Sequence, residues 1–66
     1  MTLLEFAERL EPSARLIVSR DDDWLYDSVP GGLKVKDGRN YEVVTIRPLA
    51  NCIGVEVEVR EKEHDD

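Results

Sequence analysis

Leu3, Phe6, Ala7 and Leu10 open the chain at spacings i, i+3, i+4 and i+7. That spacing lines one face of an α-helix. Thr2 and Glu5 frame its start as a capping box, in which the hydroxyl takes the Glu5 amide and the carboxylate returns to the Thr2 amide. Glu5 also precedes Arg9 by four residues, a favourable pairing on a helix surface. Pro12 cannot continue the helix and biases Glu11 away from it. A helix over residues 2–10 is therefore predicted, too short to stand alone and in need of a surface to pack on.

The pattern then changes period. Arg15 to Arg20 is short and β-branched, and Trp24 to Val29 is a second such run, bounded by Pro30-Gly31-Gly32. The three aspartates between them predict a hairpin around a polar gap. Leu33 to Lys36 is a weaker strand-like piece, followed by the turn signal Asp37-Gly38. Tyr41 to Ile46 forms a third strand, Pro48 to Asn51 a connection, and Ile53 to Arg60 a fourth. In the fourth, Ile53, Val55, Val57 and Val59 alternate with Gly54, Glu56, Glu58 and Arg60, the period-2 mark of one buried and one wet face.

Helix, hairpin, irregular segment and hairpin together predict an α+β fold. One N-terminal helix packs on a small, mostly antiparallel sheet of about four strands. A single domain over 1–60 is expected, with a frayed acidic tail over 61–66. The expected core joins Leu3, Phe6 and Leu10 to Leu16, Val18, Leu25, Val44, Ile46, Val55 and Val57. Strict alternation then sends Ile17, Trp24, Tyr26, Tyr41 and Val43 to the face away from the helix. An apolar aromatic patch on so small a sheet reads as a partner or oligomer interface.

Size sharpens that expectation. A chain of 66 residues buries only about 60% of its unfolded surface. Domains this small usually gain a disulfide, a metal or a second subunit. Cys52 is the only cysteine and His64 the only histidine, which leaves neither a disulfide pair nor a zinc ligand set. No cofactor or metal is expected, and a homo-oligomer is. The net charge of −6 repels nucleic acid and anionic lipid and favours basic protein surfaces. No apolar run reaches the roughly 20 residues of a membrane span. The N-terminus lacks the basic and apolar regions of a signal peptide. A cytoplasmic protein is expected.

Candidate chemistry is sparse. Asp21, Asp22 and Asp23 lack the alternating acids and central glycine of a calcium loop. They read as a turn, where Asp tolerates left-handed geometry. With Glu56 and Glu58 they form an expected acidic surface. Pro30-Gly31-Gly32 before Leu33-Lys34 lacks the spacing of a phosphate loop. Lys34, Lys36, Arg39 and Arg47 are the one basic sector, and with Trp24, Tyr26 and Tyr41 they could grip a nucleotide by charge and stacking. Asp27, inside a strand, would have a raised pKa if buried. Ser13, Ser19, Ser28 and Cys52 have no structured histidine to activate them, so no catalytic residue is assigned and a non-enzyme is expected.

The run TLLEFAERLEPSARLIVSRDDDWLYDS, followed by YEVVTIRPLANCIGVEVEV, resembles very short reading frames of phages and prophages of Clostridia-like bacteria. The shared pattern is a helix beginning L-x-E-x-x-x-x-L, an acidic turn after the first strand, a second strand with L-Y, and a late I-x-V-x-V strand. Asp27-Ser28 departs from it, standing where a small residue or glycine follows the tyrosine. Some small phage proteins of this size class inhibit bacterial immunity, by binding a defence protein such as a CRISPR effector or by sequestering its nucleotide signal. The resemblance implies that setting and assigns no functional residue. The expected function is a stoichiometric, anti-CRISPR-like binder of a host defence protein. The alternatives are an oligomeric sponge for a nucleotide messenger and, less favoured, a nucleic-acid-binding or nuclease-like module.

Overall fold

The N-terminal capping box forms as its residues dictate. In the computed structural model, which describes residues 1–62, the Thr2 hydroxyl accepts the Glu5 amide at 3.2 Å and the Thr2 amide donates to the Glu5 carboxylate at 3.3 Å. Donation to the Glu5 carboxylate from the Thr2 amide and from the Thr2 hydroxyl, the latter at 3.0 Å, holds that carboxyl below its ordinary pKa. The helix that follows, α1 (Leu3–Glu8), is shorter than its periodicity predicts. Its end tightens, the amides of Arg9 and Leu10 reaching back three residues to the carbonyls of Phe6 and Ala7, as is common where a helix stops.

Four strands follow: β1 (Arg15–Arg20), β2 (Asp23–Ser28), β3 (Tyr41–Pro48) and β4 (Gly54–Glu61). Their spatial order is β2-β1-β4-β3. The two hairpins, β1/β2 and β3/β4, are antiparallel, and β1 runs parallel to β4 at the join. The fold is α+β, with a mixed, mostly antiparallel sheet.

The first hairpin turns on two residues rather than three. Arg20 pairs with Asp23, and the loop residues Asp21 and Asp22 have φ of 50° and 69°. Left-handed geometry at both central positions matches the twist of the flanking strands and is best met by Asn-Gly. Left-handed backbone costs a residue with a Cβ about 1–2 kcal/mol. Replacing Asp21-Asp22 by Asn-Gly is therefore expected to stabilise the chain by about 1 kcal/mol, raising Tm by about 4–8 °C. A thermal melt checks it.

Between the hairpins the expected strand piece and Asp37-Gly38 turn are replaced. A single 3-10 turn over Pro30–Gly32 leads to a second helix, α2 (Val35–Asn40). VKDGRN is a poor helix former by propensity; its tertiary position decides. Gly38 is buried against α1, where an added Cβ would lie 2.8 Å from the Leu4 Cβ and 3.0 Å from its Cα. Gly38 thus serves close helix–helix approach inside α2.

The acidic tail also begins later than expected. Glu61 is still in β4, pairs with Tyr41 and bonds to Arg20. The Lys62 amide donates to the Asn40 carbonyl at 2.7 Å. The rest of the predicted tail, residues 63–66, lies outside the described residues.

Leu3, Ala7, Leu16, Val18, Val57 and Val59 form the buried core. Strict alternation fails in two strands, and irregularities in the ladder explain why. β2 slips by one between its pairings with Val18 and Ser19, so Tyr26 faces Val18 while Trp24 faces Ser19. β3 carries an extra residue at Val44, between Val43 opposite Val59 and Thr45 opposite Glu58. A bulge inserts one residue and reverses the alternation beyond it. Tyr26, Tyr41 and Val43 therefore pack on the helix side against the core, not on the far face as alternation predicts. Leu25 and Val44, expected inside, are 39% and 56% exposed; Ile46 keeps the expected side, opposite Val57, but is left 49% exposed there.

Candidate binding face

The helices lie on one side of the sheet. Strand register orders the other side into rows. Trp24 of β2 stands opposite Ser19 of β1, Ser19 opposite Glu58 of β4, and Glu58 opposite Thr45 of β3. The next row is Asp27, Ile17, Glu56 and Arg47. Of the five residues expected on this face, Ile17 and Trp24 occupy it. Ile17 is half-buried between its neighbours, and Trp24 is 75% exposed.

Charge on this face is arranged rather than scattered. Arg15 grips Asp27 with two parallel bonds, Nε to Oδ1 at 2.8 Å and a terminal nitrogen to Oδ2 at 2.7 Å. The fork-on-fork geometry fixes both side chains. The guanidinium holds the Asp27 carboxyl below the usual carboxylate range, and Asp27 in turn raises Arg15. Asp27 is thus a structural ion-pair partner; the raised pKa conceivable for a buried strand carboxylate does not arise at this exposed site. Arg60 pairs with Glu42 at 3.1 Å in the row beyond. Glu56 has Arg47 opposite it. Glu58 lies between two hydroxyl residues, and none of the ion pairs among the described residues includes it.

The expected acidic surface is therefore in two parts, separated by β1. Glu56 and Glu58 run down the middle of the face. Asp21, Asp22 and Asp23 are exposed at the hairpin end that delivers the indole. Among the described residues no cluster of three acidic, histidine or cysteine side chains is placed to hold a metal ion.

The basic sector is divided. Lys34 precedes α2, and Lys36 and Arg39 lie on it, leading into the Tyr41 end of β3. Arg47 is near the other end of β3, on the far face. It lies six steps along the strand from Tyr41, about 20 Å at the usual rise. The tyrosines meant to join these cations instead line a cavity of about 150 Å³ on the helix side, with Leu3, Val18 and Asp37. Small-molecule sites usually run to about 300–1,000 Å³. A wider groove of about 290 Å³ between α1 and the Pro30 turn is lined by Leu4, Leu10, Pro12 and Pro30 and by none of the four cations. One chain does not assemble the anticipated nucleotide site.

Two features escaped sequence reasoning. The Arg15–Asp27 fork was hidden because it runs diagonally across the hairpin, Asp27 standing opposite Ile17, although opposite charges at diagonal positions across a strand pair are a readable signal. The bulge at Val44 left no signal, since the run YEVVTI alternates equally well in either register. No family model matches the chain, and neither a curated protein nor a solved structure matches it.

Proposed function

We propose that the protein is a stoichiometric binder of a basic protein surface, acting through the uncovered sheet face. The single observation carrying this reading is Trp24, an indole left 75% exposed next to Asp21, Asp22 and Asp23 of the turn and on the same face as Glu56 and Glu58, which stand two strands away. Tryptophan is the residue most enriched among the few that dominate interface energies. Surrounding carboxylates select for a cationic partner and speed its encounter. The fixed Arg15–Asp27 fork keeps the neighbouring surface in one geometry.

A basic nucleic-acid groove has the complementary chemistry, rows of cations spaced to meet phosphates. With the resemblance to small phage proteins, this supports an anti-defence role in which the face occupies the groove of a host immunity protein such as a CRISPR effector. A nucleotide sponge is less favoured, because Arg47 of one chain would have to meet α2 of another.

The test uses effector nucleases of Clostridia-like hosts, assayed for target-DNA cleavage with the protein at stoichiometric ratio. Cleavage by at least one effector is expected to fall. The double variant Glu56→Gln and Glu58→Gln is expected to bind that effector less tightly and with a shallower dependence on salt. Binding that does not change between low and high salt argues against charge-led docking, and undiminished cleavage across the panel removes the anti-defence setting.

A further inference from the structure

The tyrosine-lined cavity on the helix side is unused by the function proposed for the Trp24 face, which lies across the sheet from it. Leu3 and Val18, both almost wholly buried, form its floor, with Leu33 beside them. Half-buried Tyr26 and Tyr41 complete the lining, and exposed Asp37 marks the mouth. At about 150 Å³ the space takes one small chemical group rather than a drug-sized molecule.

Both rings are held in place. The Tyr26 hydroxyl donates to the Val29 carbonyl. It passes so close to Gly32 that a Cβ added there would lie 2.5 Å from it, so a larger residue would displace the ring. Tyr41 carries the Arg20 guanidinium over its ring, 5.8 Å from the centroid, and Glu61 binds and balances Arg20 in turn. Rings fixed before a ligand arrives lose little freedom when it binds.

Charge selects the occupant. No lysine or arginine lines the cavity, and Asp37 is its one charged group. Asp37 belongs to none of the ion pairs among the described residues. A free carboxylate beside two electron-rich rings favours a cation. The aliphatic lining decides which cation. A bare ammonium brings three N–H donors, each needing an acceptor that Leu3, Val18 and Leu33 do not offer. Methyl groups on the nitrogen instead bury apolar surface against those side chains.

We infer that this cavity binds a methylated ammonium head, with Asp37 as counter-charge and Tyr26 and Tyr41 as the π surface. The site does not depend on the reading of the Trp24 face. Free choline-type amines and trimethylated lysine side chains both carry such a head, and the cavity recognises what they share.

NMR titration of the full chain at constant ionic strength tests it. Choline is expected to shift the amides around Asp37 and Tyr41 with a Kd on the order of 1 mM. Its uncharged isostere, with tert-butyl in place of trimethylammonium, is expected to bind at least about 10-fold more weakly. A short peptide containing trimethyllysine is expected to bind, and its unmethylated form at least about 10-fold more weakly. Tighter binding of the methylated peptide than of choline assigns the head to a protein side chain; the reverse assigns it to a free amine. Asp37→Asn, at an exposed site, is expected to weaken choline binding about 3- to 5-fold with an unchanged melt, and Trp24→Ala to leave it as in the native chain. Tyr41→Leu is expected to abolish it, and the Asp37→Asn and isostere comparisons stand whether or not that variant folds. No shift by choline or the methylated peptide at about 20 mM overturns the inference. So does an isostere or an unmethylated peptide that binds as tightly as its methylammonium counterpart, or an Asp37→Asn variant that binds like the native chain.

Discussion

Leu16→Ala is expected to cost about 2–5 kcal/mol, the range for truncating a large aliphatic side chain in a packed core. Leu16 is fully buried on β1, held between Ser28 of β2 and Val55 of β4. Strands paired on both sides cannot close over the lost volume, so the cost belongs in the upper part of that range. A chain of 66 residues has a total stability of about 3–10 kcal/mol. The variant is expected to melt about 16–40 °C lower, at about 4–8 °C per kcal/mol, or to lose its cooperative transition. Ile46→Ala is the matched control. Ile46 stands opposite Val57 on the helix side of the sheet, but the short helices do not cover it and it is half-exposed, so its truncation is expected to cost under about 1 kcal/mol. Comparable losses at Leu16 and Ile46 in denaturant titrations would show the Pro48 end of the helix side to be covered rather than open.

The Leu16 and Ile46 pair marks where the sequence is legible and where it is not. Elements carried by local chemistry are readable: the Thr2–Glu5 cap, the aspartate turn and the alternation of β4, each specified by residues close together in the chain. The α+β class follows from their order. The parallel β1–β4 pairing is not local, since Leu16 and Val55 meet only after the whole crossover has been laid down. The faces of β2 and β3 depend on one-residue slips opposite Val18 and at Val44, and a slip is invisible in runs where nearly every residue is apolar or β-branched. α2 was hidden for a related reason. Its stability comes from Leu4, more than thirty residues earlier, and its own composition argues against it. At the candidate site, Ile17 was legible as outward because β1 alternates regularly, while Trp24 and Tyr26 stand on either side of the β2 slip, so strict alternation could be right for only one of them. Tyr26, Tyr41 and Val43 were misread because β2 and β3 do not alternate regularly.

Trp24→Ala separates function from folding in the opposite way to Leu16→Ala. An indole 75% exposed contributes little to the core, and its loss is expected to shift stability by no more than about 1 kcal/mol, the span of strand propensities. Binding to a basic partner is expected to weaken about 30-fold or more, corresponding to the roughly 2 kcal/mol of a hot-spot truncation. The salt dependence discriminates further. Removing the indole takes away buried apolar area and leaves every carboxylate, so affinity falls while its slope against salt stays that of the native chain. Glu56→Gln with Glu58→Gln does the reverse, flattening the slope and sparing the apolar anchor. Isothermal titration at two salt concentrations, against an effector that the native protein inhibits, reads both quantities. A Trp24→Ala variant that binds as tightly as the native chain would leave the carboxylates as the sole determinant of docking. One that lost affinity only in step with a lowered Tm would assign the indole to the fold.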